Sequence, residues 1–188
     1  MGASIPSKEE CFKLLRFYKV PKHIIQHSLK VSNVAIYLSK ELNKVGEKLN
    51  LDMVEAASLL HDIAKMVDVE KGLNHALEGE KILRKLGYNR VGEIVGQHIL
   101  LKNFCFSCKI SEEEIVNYAD KRVKETQIVD LKERFEDIKR RYGGHVKDTT
   151  IIIKFMDKLE KQSFRLEEKI FLRLPFKPED LSKKLGEH

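Results

Sequence analysis

The sequence predicts an all-α protein, a helical bundle with a C-terminal helical extension. Apolar residues recur at three- and four-residue spacings in one stretch after another, which is the period of a helix with one buried face. Residues that start and stop helices punctuate those stretches. No run alternates apolar and polar residues as a half-buried strand would, and there is no internal repeat.

Ser7 and Glu10 form a capping box that opens the first helix. It should stop near Val20, because Pro21 disfavours helical geometry in the residue before it. Pro21 suits the first turn of a second helix, whose stripe is Ile24, His27, Val31, Val34 and Leu38, with Gly46 at its end. Asp52 and Glu55 read as another capping box, opening a helix through Met53, Ala57, Leu60 and Ala64. After a loop around Gly72, Asn74 is the expected N-cap of a helix that carries His75 in its first turn and ends at Gly87. Asn89 caps a segment containing Val91, Ile94, Val95, His98 and Ile99.

Residues 100–110 read as a loop, with Phe104, Phe106, Cys105 and Cys108. Because it follows His98 directly, it is expected to fold over the site as a cover. Ser111 and Glu114 cap a helix of Ile115, Tyr118 and Ala119 that delivers Asp120. An amphipathic helix to about Tyr142 follows, then a break at Gly143-Gly144. The next helix opens at Asp148 with Ile151, Ile152, Phe155 and Leu159, and Pro175 and Pro178 bound a last short one. The expected division is a helical core over 1–125 and a packed extension over 126–188.

Composition narrows the function classes. With 188 residues, 42% of them hydrophobic, a sizeable core is available and disorder is disfavoured. No stretch reaches the roughly 18 apolar residues of a membrane span. Lys8 and Glu9 stand where a secretory signal would be apolar, so the expected location is cytoplasmic. Cys105 and Cys108 make a C-x-x-C with no second pair to complete a zinc site, and are read as incidental loop packing. The net charge is +6, and most of the excess follows residue 120, where 18 Lys/Arg face 13 Asp/Glu. The signs alternate along helical segments, as on a solvated face. No aromatic or glycine-rich RNA-binding signature is present, so nucleic acid is not the expected partner. A mildly positive surface would attract an anionic small substrate.

The chemistry collects around Leu59-Leu60-His61-Asp62-Ile63-Ala64-Lys65. A carboxylate among residues that ought to be buried needs a cation or a hydrogen-bonded partner. On a regular helix His61 and Asp62 stand about 100° apart, so they converge on an ion only against the helix flank. His27, His61, His75 and His98 lie on or at the start of core helices, with Asp62 and Asp120, whereas His23, His145 and His188 read as surface residues. A single such histidine is usually satisfied by a backbone carbonyl. Four imidazoles with two carboxylates, presented from several helices, are how helical bundles build metal sites.

In order and local context, His27-Ser28-Leu29-Lys30-Val31, the His61-Asp62 stretch and Ala119-Asp120-Lys121 resemble the H…HD…D signature of the HD-domain metal-dependent phosphohydrolases. The resemblance implies that His27, His61, Asp62 and Asp120 bind a first metal. His75 and His98 resemble the additional histidines of the binuclear subgroup, in which the HD aspartate bridges two ions. Bacterial hydrolases that split dinucleoside tetraphosphates symmetrically belong to that subgroup. Ile99-Leu100-Leu101 follows His98 where those enzymes carry a polar stretch, which leaves the substrate open.

The expected function is hydrolysis of a phosphoester or phosphoanhydride, with a nucleotide as the expected substrate. The cofactors are divalent ions, two in number on this reading, from among iron, manganese, cobalt, nickel, zinc and magnesium. A divalent ion brings the pKa of its water down toward about 7, giving hydroxide at neutral pH as nucleophile. Asp62 is then ligand and proton acceptor, Lys65 and Lys30 can reach a phosphate one turn beyond their histidines, and Lys121 and Arg122 are further candidates. A homodimer is left open. The alternatives are a diiron oxygenase on the same scaffold and a regulatory module that binds nucleotides without turnover.

Overall fold

A computed structural model of the chain describes residues 4–66, 74–142 and 149–186. Helix α1 spans Lys8–Phe17, with both halves of the Ser7–Glu10 capping box formed. Helix α2, Lys22–Lys44, begins after Pro21 in extended geometry, and Gly46 follows it with φ of 102°. Helix α3 spans Leu51–Leu60, but its N-cap is Asn50, whose side chain accepts from the Met53 amide. The cap therefore sits two residues before Asp52: a short Asx side chain serves only where the chain first leaves extended geometry.

Helix α4, His75–Lys85, is capped by Asn74, and Gly87 follows at φ 87°. Helix α5, Asn89–Val95, has Tyr88 rather than Asn89 at its N-cap and no side-chain cap. Helix α6, Glu112–Lys121, forms the Ser111–Glu114 capping box. Then come α7, Leu131–Tyr142, and α8, Thr149–Phe171. A 3₁₀ turn at Pro178–Asp180 and α9, Leu181–Lys184, complete the described chain. The expected loop at Gly72, the break at Gly143-Gly144, Asp148, His145 and His188 lie outside the described residues.

One feature departs from a purely helical expectation. Strands β1, Val123–Lys124, and β2, Gln127–Ile128, pair antiparallel with Val123 opposite Ile128. Two-residue strands are too short for alternation to register in a sequence. Glu125 turns the hairpin with φ of 56°, and its carbonyl becomes part of the site.

Helix α2 packs on α3 and α6, α3 also meets α1 and α5, and α4 and α5 form a close antiparallel pair. That pair depends on small residues: a Cβ on Gly92 would lie 3.0 Å from the Glu80 carbonyl oxygen, and one on Gly79 would lie 3.0 Å from Val95. Helix α8 packs against α6 and α7, and its Leu166 and Ile170 enter the same buried cluster as Ile115, Val116 and Leu38. A buried ion pair crosses this contact. Lys169 donates to both carboxylate oxygens of Glu114 at 2.6 and 2.7 Å, and to the Lys109 carbonyl at 3.2 Å.

The 100–110 segment is a correction to the expected cover. It is pinned to α8, and none of its residues lines the cleft described below. Gln162 exchanges hydrogen bonds with the Leu101 backbone, Arg165 stacks over Phe104 and Phe106, and Arg173 donates to the Cys108 carbonyl. Cys105 and Cys108 are joined in a disulfide, with Cα atoms 5.5 Å apart. They are thus covalently paired rather than incidentally packed: a C-x-x-C turn brings its thiols within bonding reach without needing a partner pair.

Candidate metal centre

Helix α3 ends one residue before His61, and the chain then turns through short backbone bonds, Ile63 to Leu60 and Lys65 to Asp62, each 3.0 Å. This break in helical period decides the geometry of the HD pair. His61 and Asp62 serve two neighbouring clusters. His27, His61 and Asp120 form one, and Asp62, His75 and His98 the other, with candidate ligand atoms within 4.8 Å of one another in each.

Asp62 faces both. Its Oδ2 lies 3.6 Å from His61 Nε2, while its Oδ1 lies 3.2 Å from His75 Nε2 and 3.7 Å from His98 Nε2. In the first cluster Asp120 Oδ1 is 3.2 Å from His27 Nε2 and 3.6 Å from His61 Nε2. In the second, the Nε2 atoms of His75 and His98 are 3.1 Å apart.

Backbone carbonyls set the rings. His27 Nδ1 donates to Glu125 O at 2.9 Å, His61 Nδ1 to Ser58 O at 2.8 Å, and His98 Nδ1 to Val95 O at 2.7 Å. With Nδ1 protonated, each Nε2 presents a lone pair to the centre, the usual outer support of a ligating histidine. His61 Nε2 is fully buried and has no hydrogen-bond partner among the described residues; its neighbours at 3.6 Å are too far for one. A buried lone pair facing two carboxylates is the arrangement a divalent cation satisfies. The donor set of imidazole and carboxylate also fits such an ion.

The electrostatics agree. Burial alone would raise Asp62, but His61, His75, Lys65 and His98 outweigh it and hold the carboxyl well below its usual range. Burial would likewise raise Asp120, and Lys121 with His27 and His61 holds it well below. Burial, reinforced by His61, pushes His98 well down, so its ring stays neutral. Burial opposes charge on His61 as well, yet Asp62 and Asp120 raise it: that position favours positive charge.

Of the other residues singled out from the sequence, Lys65 and Lys121 reach the site. Lys65 Nζ is 3.4 Å from Asp62 Oδ1 and 3.3 Å from His75 Nε2. Lys121 is buried, donating to Asp120 Oδ2 at 2.8 Å and to the His98 carbonyl at 2.7 Å; burial lowers its pKa. Lys30 is half-buried and lies outside the lining of the cleft. Arg122 goes elsewhere. Its guanidinium is buried against the carbonyls of Val129 and Pro178, the Tyr118 hydroxyl and Glu167. As the residue that ends α6, it turns with the chain onto the hairpin and the C-terminal segment.

The sequence reading missed several contributors. Asn117, one turn before Asp120, donates to the Gln97 and His98 carbonyls at 2.8 and 3.0 Å and so steadies the turn that follows α5. Its only advance signal is a polar residue on a buried helical stripe. Arg134, Ile138, Phe155, Met156 and Leu159 line the cleft from α7 and α8. Phe155 and Leu159 stand on an apolar helical stripe, but no local pattern marks any of the five as cleft residues, because their approach to the histidines is set by tertiary packing.

The cleft has two lobes. One, about 420 Å³, sets Ile99, Ile138, Phe155, Met156 and Leu159 opposite His75, His98 and Asp120. The other, about 570 Å³, is polar, with His23, Gln26, Thr126 and Arg141. Both open on His27, Asp62 and Lys65.

A mainly helical bundle with paired His/Asp clusters at the foot of a cleft defines a metal-site protein of the His-Asp type. Residues 24–162 match the HD domain family, and the chain belongs to it. It is 25% identical over 151 residues to an uncharacterised protein of Methanocaldococcus jannaschii, covering 73% of this chain and 88% of that one. Shorter stretches resemble Ribonuclease Y. That of Chloroflexus aurantiacus is 39% identical over 66 residues, and that of Thermotoga maritima 35% over 66. Each match covers 35% of this chain and only 12% of the ribonuclease. No solved structure matches.

Proposed function

We propose that this chain is a metal-dependent phosphohydrolase that cleaves a phosphoester or phosphoanhydride of a nucleotide. The observation that carries the reading is Asp62, whose two oxygens face two separate imidazole clusters. Divalent ions held by His27, His61 and Asp120 on one side and by His75 and His98 on the other, with Asp62 between, would supply Lewis acidity and a water acidified for attack at phosphorus. This arrangement supports the binuclear form of the family, similar to the symmetrical dinucleoside-tetraphosphate hydrolases. The matches to Ribonuclease Y favour a phosphodiester among the possible bonds.

The chain's own residues have separable tasks. Asp62, held ionised, would serve as a ligand and accept the proton of the attacking water. Lys65, about a third exposed and lining both lobes, offers its ammonium to a phosphate oxygen. Lys121, fixed between Asp120 and the His98 carbonyl, ties the two clusters together. The apolar wall of Ile138, Phe155 and Met156 suits a base or sugar and keeps water from that side.

The test is metal analysis of the purified protein with a product-release screen across nucleotides and bis(4-nitrophenyl) phosphate. Turnover that depends on metal and vanishes in a folded Asp62→Ala variant is the expected result. An absence of turnover with every metal tried, or retained activity in a metal-saturated Asp62→Ala variant, overturns the reading.

A further inference from the structure

The helix α7 carries more positive charge than its own carboxylates balance. Asp137 is nearly fully buried and receives three guanidiniums: Arg140 at 2.7 Å, Arg141 at 2.9 Å and Arg134 at 3.4 Å. Arg141 also reaches Glu125 at 3.5 Å, an exposed side chain. Three cations thus face two carboxylates. Arg140 makes the shortest of the three contacts but is 75% exposed and lines neither lobe, whereas Arg134 and Arg141, which share Asp137 with it, line the cleft.

Arg134 is different. It is only 15% exposed, lines both lobes of the cleft, and its Nε is buried with no hydrogen-bond partner among the described residues. The buried Nε cannot itself reach a ligand, but a guanidinium that lines both lobes has further N–H groups suited to an anionic oxygen pair there. Arg141 lines the polar lobe with His23, Gln26 and Thr126. Each lobe is of the size that holds a ligand fragment larger than a single phosphate, given the roughly 300–1,000 Å³ of ordinary ligand sites.

We propose that Arg134 and Arg141 form an anion-binding annex that takes a second phosphate of the substrate, beside the one that meets the His/Asp centre. The substrate is then a nucleotide with at least two phosphate groups. This deepens the phosphohydrolase reading and rests on it. Two sources present that chemistry: adjacent phosphates on one nucleoside, or successive phosphates of a short oligonucleotide.

Calorimetric titration of the 188-residue chain in manganese distinguishes them. The probes are AMP, α,β-methylene ADP, and a 5′-phosphorylated adenosine dinucleotide with a phosphorothioate linkage. At least one two-phosphate probe should bind about tenfold more tightly than AMP, the worth of a charge-assisted hydrogen bond. That ratio should fall to near unity in Arg134→Gln and in Arg141→Gln. Preference for the methylene analogue assigns a polyphosphate, and preference for the dinucleotide assigns an oligonucleotide. Arg141 is half exposed, so its variant keeps the test decisive should Arg134→Gln not fold. Equal affinity for all probes, or a preference that survives in Arg141→Gln, overturns the annex. Binding is read without turnover, so it fails separately from the hydrolysis screen.

Discussion

Asp62 and His98 decide between one ion and two. If His98 served only the core through its bond to the Val95 carbonyl, removing it would leave metal binding unchanged. The 3.7 Å approach of its Nε2 to Asp62 argues otherwise. A chelated protein titrated with manganese should take up about two equivalents, the two-metal arrangement, and His98→Ala should lower this to about one. A single equivalent in both proteins would return His75 and His98 to substrate contact. Lys65 makes a separate prediction. Lys65→Ala should lower kcat/KM by an amount worth about 1.5–3 kcal/mol, as for a charge-assisted hydrogen bond, with metal content unchanged. If kcat/KM does not move, Lys65 serves only Asp62 and His75.

At the scale of elements, caps and charged helix ends hold the scaffold. Glu113, in the first turn of α6, is bonded to Arg90 of α5. Burial would raise its pKa, but that guanidinium outweighs burial and holds it below the ordinary glutamate range. The unfolded chain has the ordinary value of about 4.3. A depressed folded value means stability that is fully present above that pH and lost as pH falls through the folded value. Glu113→Gln should therefore lower the urea midpoint at neutral pH, and the gap should close on acidification below about pH 4. A gap of constant size across that range would show that the pair adds nothing through its charge.

For the whole molecule, the contact that matters is the one between α8 and α6, the helix that delivers Asp120. Lys169 of α8 is fully buried on Glu114, the same carboxylate that closes the Ser111 cap. Lys169→Ala leaves that carboxylate buried and unpaired, which costs about 3–5 kcal/mol. Chemical denaturation should show a loss of that order; a loss below about 1 kcal/mol would put the pair among exposed ion pairs in effect. The same packing presents Phe155, Met156 and Leu159 to the cleft, so part of the pocket belongs to helices that carry no metal ligand.

Most of the helices were legible locally because their causes are local. The Ser7 and Ser111 capping boxes, Asn74 as N-cap and the glycines after α2 and α4 need only neighbouring residues to act. The four histidines and two aspartates were legible as a set, since buried polar residues on apolar stripes demand a common partner. Tertiary structure alone decided the rest. The turn after Leu60 splits His61 from Asp62, the Glu125 hairpin orients His27, and α8 pulls the 100–110 loop aside. Arg122 and Arg134 look alike in the chain, both near charged neighbours on helices. Packing buries the first against Tyr118 and Glu167 and leaves the second facing the cleft. Helix period and caps act over a few residues, whereas the direction a charged side chain takes is set by groups that fold next to it from far along the sequence.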